Sequence, residues 1–160
     1  MMIAKPVEVN TPSDREIEIV RTFAAPRQLV FEALTTPDLV KRWLTGPPGW
    51  EMVVCDIDLR VGGSFRYVLR GDDGTEMGWG GSYREIDPPV RLVHTELFDQ
   101  DWTGGETVVT TTLSERDGVT TLTMRILYSS QKARDGALET PMTDGLGQSF
   151  DRLEDVITGG

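Results

Sequence analysis

Hydrophobic side chains recur at helical spacing near the end of the chain and form one stripe there. The stripe consists of Met142, Leu146, Phe150, Leu153 and Ile157. An amphipathic helix in a globular protein is stable when such a stripe is buried against another element. The pattern therefore predicts a helix over residues 142–157 that packs on the surface formed by the segments before it. Thr140 is expected as its N-cap and Pro141 as its first residue.

Most of the chain before that helix alternates hydrophobic and polar positions, which is the period of a strand with one buried face. Residues 16–23 are the first to alternate in this way. Two short helices are expected next, one with Pro26 in its first position and one with Thr36 as N-cap followed by Pro37. Six further strands follow, at residues 51–59, 64–70, 77–86, 92–98, 108–115 and 120–128. No helix is predicted between the last of these strands and the C-terminal helix.

Short turn sequences between the strands predict how the strands pair. Residues 71–74 (GDDG) and 116–118 (RDG) suit tight hairpins, because glycine and aspartate tolerate positive φ. Hairpin spacing predicts an antiparallel meander with the first strand on one edge. The fold class is therefore α+β, a strongly curved antiparallel sheet of about seven strands wrapped on the long C-terminal helix. Residues 1–13 are expected to be a flexible lead-in, and residues 14–160 a single domain.

Charge and composition narrow the classes of partner. The chain has 26 acidic and 16 basic residues and a formal net charge of -10, and no Lys/Arg cluster stands out, which argues against a nucleic-acid partner. No segment approaches the roughly 20 apolar residues that cross a bilayer, so no integral membrane contact is expected. The single cysteine, Cys55, rules out an internal disulfide and favours a cytoplasmic location. The sequence leaves open whether the chain forms a homodimer.

Several motifs resemble a known family in both content and order. They are RTFAAP at residues 21–26, DLRVGGSF at 58–65, YREI at 83–86, PPVRLVHTE at 88–96 and QSFDRL at 148–153. Together these segments resemble the family of homologues of the activator of the ninety-kilodalton heat-shock protein ATPase. That family belongs to the START-like superfamily, also called SRPBCC, so the resemblance implies the helix-grip fold of the birch-pollen allergens over about residues 17–157.

The resemblance indicates the fold more strongly than it indicates the function. In the eukaryotic activator a separate amino-terminal domain is central to stimulating the chaperone, and this sequence is expected to have no room for it. The chain also departs from the family pattern at residues 145–147, where Gly145-Leu146-Gly147 stands in place of the frequent Gly-Trp. Loss of the indole, with Gly147 costing roughly 1 kcal/mol relative to alanine in a helix, implies a roomier or more flexible site.

A curved sheet cannot stay in contact with one straight helix across its whole width, so its concave face leaves space for side chains or a ligand. Inner-face candidates for ligand binding are Trp43, Phe65, Tyr67, Trp79, Tyr83, His94, Met124, Ile126, Met142, Leu146 and Phe150, with Tyr128 near them. Several combine an apolar body with a polar tip, which suits a pocket that orients its ligand. The alternative is that these residues form an ordinary packed core. Residues 43–50 and 102–105 are expected near the mouth of a pocket.

His94 and Glu96 lie two apart in a predicted strand, so their side chains share one face. Leu92 and Phe98 at the same period indicate that this face points inward. The pair suits a hydrogen-bonding anchor, or the acid–base pair of a cyclase or hydrolase. The alternative is a structural polar pair satisfied by neighbouring backbone or by Arg21.

Other motifs give no support for a metal or a cofactor, so neither is predicted. One histidine and one cysteine are too few for a typical zinc site. The aspartates at 72–73 and 99–101 lack the spacing and the closing glutamate of a calcium loop. Gly78-Trp79-Gly80-Gly81 lacks dinucleotide-binding spacing and is expected to be a bulge or a sharp bend in a strand.

The sequence therefore predicts a binding protein for a small, largely hydrophobic molecule, held between the sheet and the C-terminal helix. No catalytic residue is assigned under this interpretation. Two alternatives remain: an enzyme of cyclase or hydrolase type that uses His94 and Glu96, and a stress-response module that interacts with a chaperone.

Overall fold

The computed structural model describes residues 7–159, which form one antiparallel sheet and four helices. The strands are β1 (Glu8–Asn10), β2 (Glu16–Phe23), β3 (Trp50–Ile57), β4 (Ser64–Gly71), β5 (Glu76–Asp87), β6 (Arg91–Phe98), β7 (Thr107–Arg116) and β8 (Val119–Leu127). The helices are α1 (Arg27–Thr35), α2 (Pro37–Trp43), α3 (Gln131–Leu138) and α4 (Met142–Thr158). None of these helices is both long and apolar enough to cross a membrane.

The strand order in the sheet is β1-β2-β8-β7-β6-β5-β4-β3, and all neighbours are antiparallel. Strands β3 to β8 form the predicted meander, and β2 closes onto β8. The predicted α+β helix-grip fold is confirmed. The strand at residues 16–23, predicted as the first and as an edge strand, is β2. The prediction that it lies on an edge is wrong, because β1 pairs with it, with Val9 opposite Ile19. This short strand falls within the predicted lead-in, of which residues 1–6 lie outside the described residues.

Both predicted hairpin turns are present. Asp117 and Gly118 join β7 to β8 with φ values of 53° and 76°, which is the geometry of a two-residue turn. Gly74 donates to the Gly71 carbonyl at 3.0 Å and closes the turn between β4 and β5. Strand β3 ends before Leu59, which the sequence pattern includes in the strand; Leu59 lies in the turn before β4 and is 41% exposed.

The sequence predicts either a bulge or a sharp bend at the glycines near Trp79, and these glycines do not form a bulge. The register between β5 and β6 shifts at Arg84, between Tyr83 and Glu85. Gly81 instead lies where two strands approach closely, because an added Cβ would be 1.8 Å from the Thr95 carbonyl oxygen. Only glycine leaves enough room for the two backbones there.

The C-terminal helix α4 forms as expected, and Phe150 and Leu153 of its stripe are completely buried. Its start differs from the prediction. Pro141 is the N-cap, and the Thr140 hydroxyl donates to the Ala137 carbonyl at 2.6 Å. Thr140 therefore completes the end of α3 and does not cap α4.

Helix α3 is absent from the sequence prediction, because its segment QKARDGAL carries no stripe of large hydrophobic residues. The sequence feature that indicates this helix is its N-cap residue, Ser130, whose hydroxyl accepts a hydrogen bond from the Ala133 amide at 3.0 Å. Arg134 then donates to the backbone carbonyls of Ser13 and Glu16. These bonds fasten α3 beside the start of β2.

Arg21 fastens α4 to the sheet. The residue is 2% exposed, and its guanidinium lies 2.9 Å from the Asp151 carboxylate and 3.3 Å from the Glu154 carboxylate. Nη1 faces Asp151 at an angle unsuited to a hydrogen bond, so that contact is an ion pair. Glu154 also accepts from the Ala24 amide at 2.8 Å. The C-terminal half of α4 is thereby held against the end of β2.

Candidate functional site

A cavity of about 350 Å³ lies between the concave face of the sheet and α4. This volume is within the range of small-molecule sites. From its middle onward α4 contacts the sheet: Phe150 packs edge-on against Phe23, with ring centroids 5.8 Å apart, and Asp151 and Glu154 lie beside Arg21. The helix is therefore in close contact with the sheet at one end, and the curved strands enclose space beneath the rest of it.

The structure brings all eleven predicted ligand-binding residues to the wall of this cavity. They are Trp43, Phe65, Tyr67, Trp79, Tyr83, His94, Met124, Ile126, Met142, Leu146 and Phe150, and Glu96 and Tyr128 join them. Their position is thus established, while their binding of a ligand stays a prediction. The prediction omits Thr107, Val109 and Thr111 of β7, which also line the cavity. Their period-two spacing in the sequence indicates that the three side chains share one face of the strand.

Aromatic rings form a continuous band along the concave face. Tyr83 contacts Phe65 at 5.6 Å between ring centroids, Phe65 contacts Tyr67 at 5.0 Å, and Tyr67 contacts Trp79 at 5.5 Å. Phe98 stacks on Trp79 at 5.3 Å and continues the band. Because adjacent strands present these residues on the same face, the band crosses β4, β5 and β6. It gives the cavity a mainly apolar wall.

The tryptophan at the end of α2 is held in place from two sides. Trp43 donates its indole N–H to the Ala33 carbonyl at 2.8 Å, and its own carbonyl accepts from Arg152 at 3.1 Å. Arg152 also lines the cavity, and burial lowers the pKa of its guanidinium while Asp151 opposes that shift. Arg152 is not among the predicted site residues, because a charge on an amphipathic helix normally indicates the solvent face.

The two segments predicted near the mouth both reach the cavity. Pro47 and Trp102 belong to its wall, and Trp102 is 40% exposed. The loop that carries Trp102 is fixed by a two-point ion pair between Arg66 and Asp99, at 2.7 and 2.6 Å. The ring of Trp102 rests on Phe98, with centroids 5.0 Å apart. The aromatic band thus runs from the interior to the opening.

His94 and Glu96 face the cavity together, as their spacing predicts. His94 Nε2 lies 3.2 Å from a Glu96 carboxylate oxygen. Arg21 does not satisfy this pair, contrary to one of the expectations, because its guanidinium binds the two carboxylates of α4. His94 Nδ1 is buried and has no hydrogen-bond partner among residues 7–159. Within these residues, only one of the two ring nitrogens therefore has a hydrogen-bond partner.

All three tyrosines of the protein line the same cavity. Burial raises the pKa of Tyr83 to about 12. Burial also raises the pKa of Tyr67 and of Tyr128, and the nearby Glu96 charge adds to both shifts. The Tyr128 hydroxyl donates to Met142 Sδ at 3.5 Å. The tyrosines therefore remain neutral donors at ordinary pH.

The structure has no site with the composition of a metal centre in the part of the chain it describes. Among residues 7–159, no group of three or more His, Cys, Asp or Glu side chains is arranged to hold a metal ion. Cys55 is buried beside the Pro37 carbonyl, with Sγ 3.7 Å from the oxygen, and burial raises the pKa of its thiol.

Solved structures show that this fold recurs. A crystal structure of a protein from Rhodobacter sphaeroides is 33% identical, with a TM-score of 0.92 over 98% of this chain and 100% of that chain. A crystal structure of a protein from Nitrosomonas europaea is 24% identical, with a TM-score of 0.81 over 93% of this chain and 97% of that one. The second likeness concerns the fold alone. No curated protein matches this chain.

A family model identifies the group to which the chain is related. The model described as "Activator of Hsp90 ATPase homolog 1-like protein" matches residues 24–158, from the end of β2 to the end of α4. The match includes both helices before the meander, the meander itself and the helix that the sheet grips. The family suggested by the motifs is therefore confirmed: this chain belongs to the Activator of Hsp90 ATPase homolog 1-like family, within the START-like superfamily.

Proposed function

We propose that this protein binds a small, largely hydrophobic molecule in the cavity between the sheet and α4. The observation that carries the proposal is the cavity itself, about 350 Å³ with a mainly apolar, aromatic wall. When a ligand displaces water from such an apolar surface, the free energy of the system falls, which favours binding. A few polar groups, among them His94 and Glu96, can orient the ligand. Membership of a START-like family supports the same class of function.

The neutral fluorescent probe N-phenyl-1-naphthylamine tests this proposal. We expect saturable binding with one site per chain. Leu146→Trp should weaken it, because Leu146 lines the cavity and an indole there takes up part of the space. Leu138→Trp is the matched control, since Leu138 is exposed on α3 and does not line the cavity. Absence of saturable binding, or equal binding by both variants, would contradict the proposal.

An enzyme that uses His94 and Glu96 for proton transfer is a second candidate. The 3.2 Å contact between their side chains inside the cavity favours it. The test is His94→Ala with a substrate found by screening esters and cyclisable polyketide-like compounds. A large loss of turnover would support this function, and unchanged turnover would remove His94 from the mechanism.

Interaction with a chaperone is a third candidate, and the name of the family favours it. The test is the ATPase rate of the host's ninety-kilodalton heat-shock protein with and without the purified protein. Stimulation that saturates at a fixed stoichiometry would support the interaction. An unchanged rate together with absence of binding would eliminate it.

A further inference from the structure

We infer that the ligand of this cavity is a carboxylic acid with an apolar body, and that its carboxylate binds the guanidinium of Arg152. The inference rests on the proposed binding function and specifies the chemical class of the ligand. In this arrangement the apolar body lies along the aromatic band, and the charged group stays at the end of the cavity where α2 meets α4.

Arg152 lies at the contact between the end of α2 and the middle of α4. Its Nε donates to the Trp43 carbonyl at 3.1 Å, and its Nη2 donates to the Ser149 hydroxyl at 3.3 Å. Two other lining residues, Pro47 of the segment after α2 and Gln148 of α4, are exposed. Solvent therefore reaches this end of the cavity. A charged group bound here keeps part of its hydration, while an apolar body attached to it is buried.

The guanidinium of Arg152 has N–H donors that the described part of the chain does not use. Of the five donors of an arginine, the two contacts above occupy one on Nε and one on Nη2. Among residues 7–159, Nη1 has no hydrogen-bond partner, and it is not one of the unpaired atoms that are shielded from solvent. Two donors on Nη1 and one on Nη2 are thus left for a ligand. A carboxylate, with its two oxygens, suits such a pair of nitrogens.

The positive charge of Arg152 also has no carboxylate paired with it among residues 7–159. The adjacent Asp151 acts on it through space but lies beside Arg21, at 2.9 Å. Burial lowers the pKa of Arg152, because its charged form loses part of its hydration at this position. A bound carboxylate offsets that loss, whereas an ammonium group brings a second positive charge to the same wall.

Glu96 is the charged residue on the opposite side of the cavity, on β6, and it favours a cation less than Arg152 favours an anion. Its carboxylate already lies 3.2 Å from the His94 imidazole. An amine that binds Glu96 therefore competes with a contact of the chain itself. A carboxylate at Arg152 replaces no contact of the described residues, so the charged end of the ligand gains more at α4.

Displacement of N-phenyl-1-naphthylamine by three probes tests the charge of the ligand. The probes are nonanoate, decylamine and 1-decanol, which have the same number of non-hydrogen atoms and are an anion, a cation and a neutral molecule near neutral pH. We expect nonanoate to displace N-phenyl-1-naphthylamine from the wild type at a lower concentration than decylamine, although the net charge of the chain is -10. Decanol measures what the apolar body contributes without a charge.

The substitution Arg152→Gln removes the charge and keeps a side-chain N–H donor for the Trp43 carbonyl. We expect the ratio of the displacing concentrations, nonanoate to decanol, to rise about tenfold, which corresponds to about 1.4 kcal/mol. This is close to the lower end of the range for hydrogen bonds to charged groups. A ratio is used because a general loosening of the cavity affects both probes.

Two further variants separate the charge of Arg152 from its structural contacts. Arg152→Lys keeps the positive charge and should retain most of the preference for nonanoate that Arg152→Gln loses. Arg116→Gln is the matched control, because it removes the same charge from a side chain that is 94% exposed at the end of β7 and does not line the cavity. Its ratio should equal that of the wild type.

The outcomes separate this inference from the proposed function. Saturable probe binding that decylamine displaces at the same or a lower concentration than nonanoate would overturn the inference and leave the binding function intact. An unchanged ratio in Arg152→Gln, or an equal loss in Arg152→Gln and Arg152→Lys, would also overturn it. If Arg152→Gln does not fold, the comparison of nonanoate with decylamine on the wild type still decides. Absence of probe binding in the wild type would contradict the proposed function itself.

Discussion

Tyr67, Tyr83 and Tyr128 are the only tyrosines of the protein, and each combines a buried ring with a hydroxyl at the cavity. Ionising any of them would place a phenolate in an apolar site, and near Tyr67 and Tyr128 also beside the Glu96 charge. Their titration therefore reports directly on the polarity of the cavity.

We expect no tyrosine of the folded protein to ionise near pH 10, where an unburied phenol titrates. The raised pKa values mean that the folded state retains its phenolic protons longer than the unfolded state does. The stability that these groups contribute is thus fully present below about pH 10 and is lost as the pH rises through the folded pKa, about 12 for Tyr83. The measurement is phenolate absorbance in the near ultraviolet. The chain in concentrated urea is the control, and phenolate formation near pH 10 in the folded protein would contradict the expectation.

Helix α4 depends on Arg21 for its attachment to β2, because the guanidinium lies between two carboxylates of the helix. We expect Arg21→Met to lower the free energy of unfolding by about 3 kcal/mol, since it removes a buried cation from beside the partly buried carboxylates of Asp151 and Glu154. Urea denaturation measures the change. Arg60→Met is the matched control, because Arg60 forms an exposed ion pair with Asp58, and the change there should stay within about 0.5 kcal/mol. Equal effects of the two substitutions would contradict this role for Arg21.

Within α4, no residue among 7–159 gives Gly147 a steric reason to be glycine. Of these residues, an added Cβ would meet only the Val7 side chain, at 3.8 Å, which is ordinary contact. We therefore expect Gly147→Ala to raise the free energy of unfolding by up to about 1 kcal/mol. Gly118→Ala should lower it instead, because φ at Gly118 is +76° and alanine is strained there. A thermal melt of both variants measures whether the first substitution raises the melting temperature and the second lowers it. A destabilised Gly147→Ala protein would contradict the argument.

At the scale of the whole molecule, the cavity couples ligand binding to folding. A molecule that binds only the folded chain stabilises it by about 2.7 kcal/mol at a hundred times its dissociation constant. We expect N-phenyl-1-naphthylamine to raise the melting temperature as its concentration increases, and to raise that of Leu146→Trp less at the same concentration. A melting temperature of the wild type that does not respond to saturating probe would show that the probe binds elsewhere or to the unfolded chain as well.

The sequence by itself determined which faces of the strands and of α4 are buried. Period-two spacing placed Phe65, Tyr67, His94 and Glu96 on one side of the sheet, and helical spacing placed Phe150 opposite them. These patterns are local, because a side chain's direction follows from the backbone of its own element. The same logic missed α3, whose contacts are made by alanine and by the buried guanidinium of Arg134, and it missed β1, which is only three residues long.

Only the tertiary structure decided whether the inward faces meet or enclose space. The cavity exists because a curved sheet and a straight helix are held in contact at one end, by Arg21 and Phe150, and no local pattern reports the distance between elements far apart in sequence. The same holds for single polar groups. Arg21 pairs with carboxylates about 130 residues away, and His94 Nδ1 has no hydrogen-bond partner within residues 7–159, because hydrogen-bond partners are set by the packing of distant segments.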